Sequence, residues 1–105
     1  MRNKAMNALI EMGMPANIRG FRYIADAMEL FEDKTWRDGK IVPLYYQIAK
    51  MNDTTYSRVE RAIRHAFEIV TTRGNLETVE KYLTLKNPTN SNLLHVFYLR
   101  LVQEV

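Results

Sequence analysis

The stretch from Thr55 to Asn75 restricts the fold of this chain more than any other, because only a helix makes its pattern coherent. Wound at roughly 100° per residue, it gathers Val59, Ala62, Ile63, Ala66, Ile69 and Val70 on one face and leaves Ser57, Arg61, Arg64, His65 and Glu68 on the other. Glu60 lies at the border of the polar face and Arg58 at its opposite edge. Such a helix must bury one side against other elements, and its free side is a row of hydrogen-bonding heads. Long forked donors at the start of a helix, with one carboxylate among them, are the groups that read base edges in a major groove.

The rest of the chain supplies partners for the apolar face. Ala5, Met6, Leu9, Ile10 and Met12 predict a helix over Asn3 to Met12, stopped by Gly13 and Pro15. Phe21, Ile24, Ala25, Met28 and Leu30 or Phe31 repeat at three and four, predicting a helix from Ile18 or Arg19 to about Glu32. Asp33 to Gly39 is polar around Trp36 and reads as a loop or frayed end, with Trp36 closing the core or, less simply, stacking on a ligand. Ile41 to Lys50 forms the next helix, with Pro43 near its start. After the polar turn Met51 to Thr54, Thr55 or Ser57 caps the reading helix, and Ser57 to Glu60 has the spacing of a capping box. That helix runs to about Thr72 and Gly74 ends it. Leu76, Val79, Tyr82 and Leu83 suggest a short helix, and beyond Pro88 a cap at Thr89, Asn90 or Ser91 opens a last one carrying Leu94, Phe97, Tyr98, Leu101 and Val102. No segment alternates with a period of two. The predicted fold is therefore all-α, about six helices, with a helix-turn-helix made by Ile41 to Lys50 and the helix after Thr55 at its centre.

With 105 residues, 47% of them hydrophobic and 26% charged, the chain forms one folded domain spanning residues 1–105. Cysteine is absent, and His65 and His95 stand thirty residues apart, so no Cys/His metal site is expected. No cofactor is expected either: the four glycines stand alone, without a phosphate-cradling loop, and read as helix ends and turns. No apolar run approaches the roughly 20 residues that span a bilayer, so the expected home is the cytoplasm, without a membrane partner. The net charge of +3 is localised. Residues 1–38 hold six basic and six acidic side chains and residues 74–105 three of each, whereas residues 39–73 hold six basic against three acidic. The whole excess lies around the reading helix, the footprint of an element that meets a polyanion.

Plainer readings stand beside these. The basic face could be a self-compensating solvated surface, through Glu60 with Arg64 and Arg61 with Glu68. His65 has no nucleophile or carboxylate constellation around it, so a polar contact is expected rather than a catalytic base, and no enzyme is expected. His95 borders an apolar stripe and reads as structural. The six methionines read as core filler. Tyr45 and Tyr46 are adjacent and cannot both face one core. The start at Thr89 and Asn90 is first a cap and second a candidate phosphate contact. The alternative to DNA reading is a helical protein-interaction module that pairs with a full-length regulator and modulates it.

SRVERAIRHAFE followed by TTRGN closely resembles the recognition-helix region of the DNA-binding effector domain of the stage-zero sporulation regulator A family of endospore-forming Firmicutes. EMGMPANIRGFRYI, LYYQIAK and NPTNSNLL resemble further segments of that family in the same order, so the resemblance covers nearly the whole chain. It implies a six-helix transcription regulator that binds a TGTCGAA-type element of double-stranded DNA, pairs head-to-tail with a second copy on tandem sites and works with RNA polymerase. By position it implies base reading by Glu60, Arg61 and Arg64, with Thr55, Ser57, Arg58, His65, Arg73, Thr89 and Asn90 as flanking or phosphate contacts. The pairing chemistry fits, since an Arg fork matches guanine O6 and N7 and a Glu accepts from cytosine N4. The chain departs from the family at Tyr46, where the family has proline, at Asn87, where it has lysine, and in a shorter Tyr82 to Pro88 connection. It also leaves no room for the family's phosphoacceptor receiver domain.

Overall fold

Seven helices build the structure, a computed structural model that describes residues 1–104. They are α1 (Arg2–Met12), α2 (Arg19–Leu30), α3 (Lys34–Arg37), α4 (Ile41–Met51), α5 (Tyr56–Arg73), α6 (Leu76–Tyr82) and α7 (Asn90–Gln103). No strand occurs among the described residues, in agreement with the all-α expectation. The seventh helix is α3, a single turn in the segment read from sequence as loop or frayed end. Asp33 caps it by accepting from the Thr35 amide at 2.8 Å. Four residues are too few to display a period, so only this local cap could have announced it.

Two termini follow the sequence logic closely. Gly13 ends α1 in the left-handed region at φ 94°, with its N–H on the Ile10 carbonyl and the Met14 N–H on the Leu9 carbonyl. At α5 the cap is Thr55, whose hydroxyl accepts from the Arg58 amide, so Ser57 lies inside the first turn rather than capping it. The capping-box reading of Ser57 and Glu60 is thereby corrected: the extended backbone of Thr55 starts the helix two residues earlier.

Helix α5 is the hub of the packing and touches α2, α4, α6 and α7. Val59, Ile63, Ala66, Phe67 and Val70 are its buried residues, while Ala62 and Ile69 are only partly covered. Phe67 was not assigned to the stripe in the sequence reading, and it is buried because α5 is enclosed on more than one side. Elsewhere Ile10 and Val102, placed by periodicity in apolar stripes, are more than half exposed. Each lies on the outer edge of a stripe whose inner residues already fill the available contact. Tyr45 is buried and Tyr46 exposed, dividing the pair as expected.

Gly20 stands near a helix end, as the second residue of α2, but its role goes beyond the end or turn read for the glycines. It sits inside α2, where a Cβ would lie 2.2 Å from the Ala62 carbonyl oxygen and 2.6 Å from the Ala66 Cβ. Its missing side chain brings the backbone of α2 against α5 and so sets the distance between the reading helix and its main support.

A second anchor crosses the fold at Asp26, the one buried charged residue among those described. One carboxylate oxygen accepts from the Arg2 guanidinium and the other from the Asn52 side-chain amide at 2.7 Å. The Asn52 amide also donates to the Ile48 carbonyl at 2.8 Å. Together these bonds tie α1, α2 and the end of α4 to one carboxylate. Asp26→Ala would leave the Asn52 amide with only its Ile48 bond and Arg2 with only Glu29. The expected loss is about 2 kcal/mol, less than for a fully buried pair because Arg2 is partly solvated. Urea unfolding with an unchanged m-value would measure it, and a loss within error of zero would show that the anchor is energetically idle.

Two buried phenols set the alkaline limit. Burial holds the Tyr82 hydroxyl well above the ordinary phenol range, and the Glu104 and Glu11 carboxylates act in the same direction. Burial also raises Tyr45, with the Asn90 amide pulling back. The unfolded chain gives up these protons near pH ~10 while the native state keeps them, so stability is intact below that pH and falls above it. Denaturation midpoints across the alkaline range are expected to show this fall and Tyr82→Phe to flatten it; an equally steep fall in the variant would place the cause elsewhere.

Candidate nucleic-acid interface

The α4–turn–α5 unit has the layout of a helix-turn-helix, and its turn is closed by the backbone itself. Asp53 takes the left-handed conformation at φ 51°, and the Thr54 N–H reaches the Ala49 carbonyl at 3.0 Å. This closes α4 in the manner usually left to Gly or Asn at that position. Asn52, fixed by Asp26, holds the same turn from the side of α2. The start of α5 is thus placed by three elements at once.

From that start the helix exposes Ser57, Arg58, Arg61, Arg64 and His65, with Glu60 half-buried at the edge. The self-compensating reading of this face is half right. Glu60 and Arg64 form an ion pair at 2.7 Å one turn apart, but Arg61 makes no salt bridge with Glu68 or any other carboxylate among the described residues. An exposed pair of this kind contributes about 0.3–0.5 kcal/mol, little enough to open for a better partner. Arg61 is a guanidinium with its donors uncommitted, and Arg64 is held in register by a carboxylate.

The beginning of α7 closes one side of this face. The Asn90 side-chain amide donates to the Glu60 backbone carbonyl at 3.0 Å, and the Thr89 hydroxyl caps α7 by accepting from the Asn92 amide. A cavity of about 380 Å³ is lined by Glu60, Arg64, Thr89, Asn90 and Tyr45 among others. Four of the residues singled out from the sequence, Glu60, Arg64, Thr89 and Asn90, therefore meet around one depression. Two of these have structural work of their own, Asn90 as a strut to α5 and Thr89 as a cap. Thr55 likewise uses its hydroxyl as the α5 cap. Arg73 is the last residue of α5, about 18 Å along the axis from Arg61 at 1.5 Å per residue, and is not gathered with the others.

Sequence reasoning passed over Asp26, Asn52 and Gly20, which position the reading helix without touching its exposed face. Their signals are a lone acidic residue inside an apolar run and a glycine inside a helical period, and neither says what it meets until the partner helix is in place. His95 is structural as read: its two ring nitrogens face the Ser91 and Arg37 carbonyls at 2.7 and 3.0 Å, and its ring lies against Phe31. Trp36 packs against the core, half-buried.

Residues 5–101 match the family model of the sporulation initiation factor Spo0A C-terminal region. The chain belongs to that family. The match spans all but the two ends of the chain and includes every residue of the α4–turn–α5 unit. A Spo0A C-terminal domain is a DNA-binding effector domain of sporulation transcription control, and that is the general function of this fold. The resemblance drawn from SRVERAIRHAFE and the flanking segments thus agrees with a comparison made over the entire domain. Among the described residues no helix is long and apolar enough to cross a membrane, and no group of three His, Asp or Glu side chains is placed to hold a metal ion.

Proposed function

We propose that this domain regulates transcription by laying α5 in the major groove of a TGTCGAA-type element, with Arg61, Arg64 and Glu60 reading base edges. The observation that carries the reading is the state of Arg61, exposed in the second turn of α5 and free of any carboxylate partner among the described residues. An uncommitted fork there matches guanine O6 and N7 without first losing an ion pair. Arg64 and Glu60 supply a complementary pair that divides on binding, the guanidinium toward a purine acceptor and the carboxylate toward a cytosine amine. Ser57, Arg58 and His65 flank these readers, and the Thr89–Asn90 start and Arg73 are candidate backbone contacts. Head-to-tail pairing on tandem sites and contact with RNA polymerase follow from the family resemblance alone.

The test is a base scan. Glu60→Ala is expected to relax discrimination at one cytosine of the element while leaving preference elsewhere, read as relative Kd over duplexes substituted at each position. Unchanged selectivity at all positions would remove Glu60 from the reading set. The second reading, a module that modulates a full-length regulator without productive DNA binding, draws on the exposed Ile10, Leu99 and Val102. A chain that binds neither the element nor a scrambled duplex at low salt would favour it.

A further inference from the structure

We infer a phosphate-binding cavity between the start of α2 and the α4–α5 turn, which holds a phosphodiester group of the DNA strand beside the groove that α5 enters. It rests on the reading of α5 just given and extends the interface to a helix that the sequence reading assigned to the core. The cavity, of about 350 Å³, is lined by Arg19 and Arg22 of α2, by Arg58 of α5 and by Asp53 and Thr54 of the turn, with Tyr23 alongside. All three arginines are exposed, and none forms a salt bridge with a carboxylate among the described residues.

The neutral balance of residues 1–38 conceals this cluster. Three of the six acids in that stretch are held by other cations, Asp26 and Glu29 by Arg2 and Glu32 by the N-terminal ammonium. Arg19 and Arg22 are left uncompensated and the fold sets them beside Arg58. Even with the Asp53 carboxylate counted, the site carries a net charge of +2, from three cations against one anion. The Thr54 hydroxyl oxygen is buried without a hydrogen-bond partner and belongs to the same lining, so a further donor is available. Guanidinium forks and a hydroxyl are the donor set for a phosphate, and the Asn52–Asp26 bond keeps the turn that carries Thr54 in place. Arg58 occupies the first turn of α5, the end of a reading helix that lies next to the strand backbone as its neighbours reach the bases.

The experiment is a salt titration of binding by fluorescence anisotropy, with a TGTCGAA duplex and a scrambled one, for the wild type and for Arg19→Ala/Arg22→Ala. Loss of one phosphate contact is expected to reduce the steepness of log K against log salt by about 1. Affinity should fall by the same factor on both duplexes, leaving the preference between them intact. Arg19→Lys/Arg22→Lys should keep the wild-type slope, and Asp53→Asn, which suits the left-handed backbone, should tighten binding to both duplexes equally. An unchanged slope in the alanine pair, or a loss confined to the TGTCGAA duplex, overturns the cavity while leaving the reading by α5 intact. A wild type with no preference between duplexes overturns the reading itself. With inorganic phosphate as the probe, stabilisation of the wild type but not the alanine pair, together with an unchanged duplex slope, would identify a free-anion site and also overturn the proposal.

Discussion

Arg61→Ala is expected to weaken binding to a TGTCGAA duplex by about 1–3 kcal/mol, roughly fivefold to 150-fold, and to change binding to a scrambled duplex far less. The asymmetry comes from what the side chain does in the free protein. Arg61 is exposed, supports no core contact and has no ion-pair partner among the described residues, so its removal should leave the fold and the rest of the field in place. What disappears is a pair of donors matched to guanine. Arg64→Ala is a less direct probe, because it also frees Glu60 beside the DNA and adds a repulsive charge to the lost contact. Equal losses on the two duplexes for Arg61→Ala would make it a phosphate contact and return base reading to other residues.

The largest expected effect on stability comes from one added methyl group. Gly20→Ala would set a Cβ 2.2 Å from the Ala62 carbonyl oxygen and 2.9 Å from its carbon, and the first obstacle is backbone. A flexible side chain could turn aside, but here α2 and α5 must separate along their main contact. The cost should lie at the upper end of overpacking, about 3 kcal/mol, which lowers Tm by roughly 10–20 °C in a domain of this size. Because α5 moves with it, DNA affinity should fall on specific and scrambled duplexes together. Gly74→Ala tests the same principle at the other end of α5, where a Cβ would come within 2.5 Å of the Met12 carbonyl oxygen. Thermal melts followed by circular dichroism measure both, and a Gly20→Ala protein that melts with the wild type would show that the approach of α2 to α5 is not a constraint.

These two residues also show where sequence reasoning reaches its limit. Arg61 could be found because a helical face is a local property: about two turns of sequence suffice to separate Val59 and Ile63 from Arg61 and Arg64. The helix boundaries were legible for the same reason, with caps at Thr55 and Thr89 and a stop at Gly13 written within a few residues of the ends they set. Gly20 and Asp26 answer to partners 24 to 46 residues away, at Arg2, Asn52, Ala62 and Ala66, and a linear pattern does not contain that information. Charge was legible in sum but not in place. The excess assigned to residues 39–73 is real, yet Arg19 and Arg22 join the same surface because the fold sets them beside Arg58, with no salt bridge to a carboxylate among the described residues. Ile10 and Val102 mark the opposite error, apolar residues that keep the period of a buried stripe while standing beyond its edge.

The central claim is that the uncommitted arginine face of α5 reads sequence in duplex DNA. It is tested most directly by anisotropy titration of the wild-type domain with a TGTCGAA duplex and a scrambled duplex across a range of salt concentrations. Tighter binding to the TGTCGAA duplex at every salt concentration, with affinity for both falling as salt rises, is the result predicted. Equal affinity for the two duplexes throughout would contradict it.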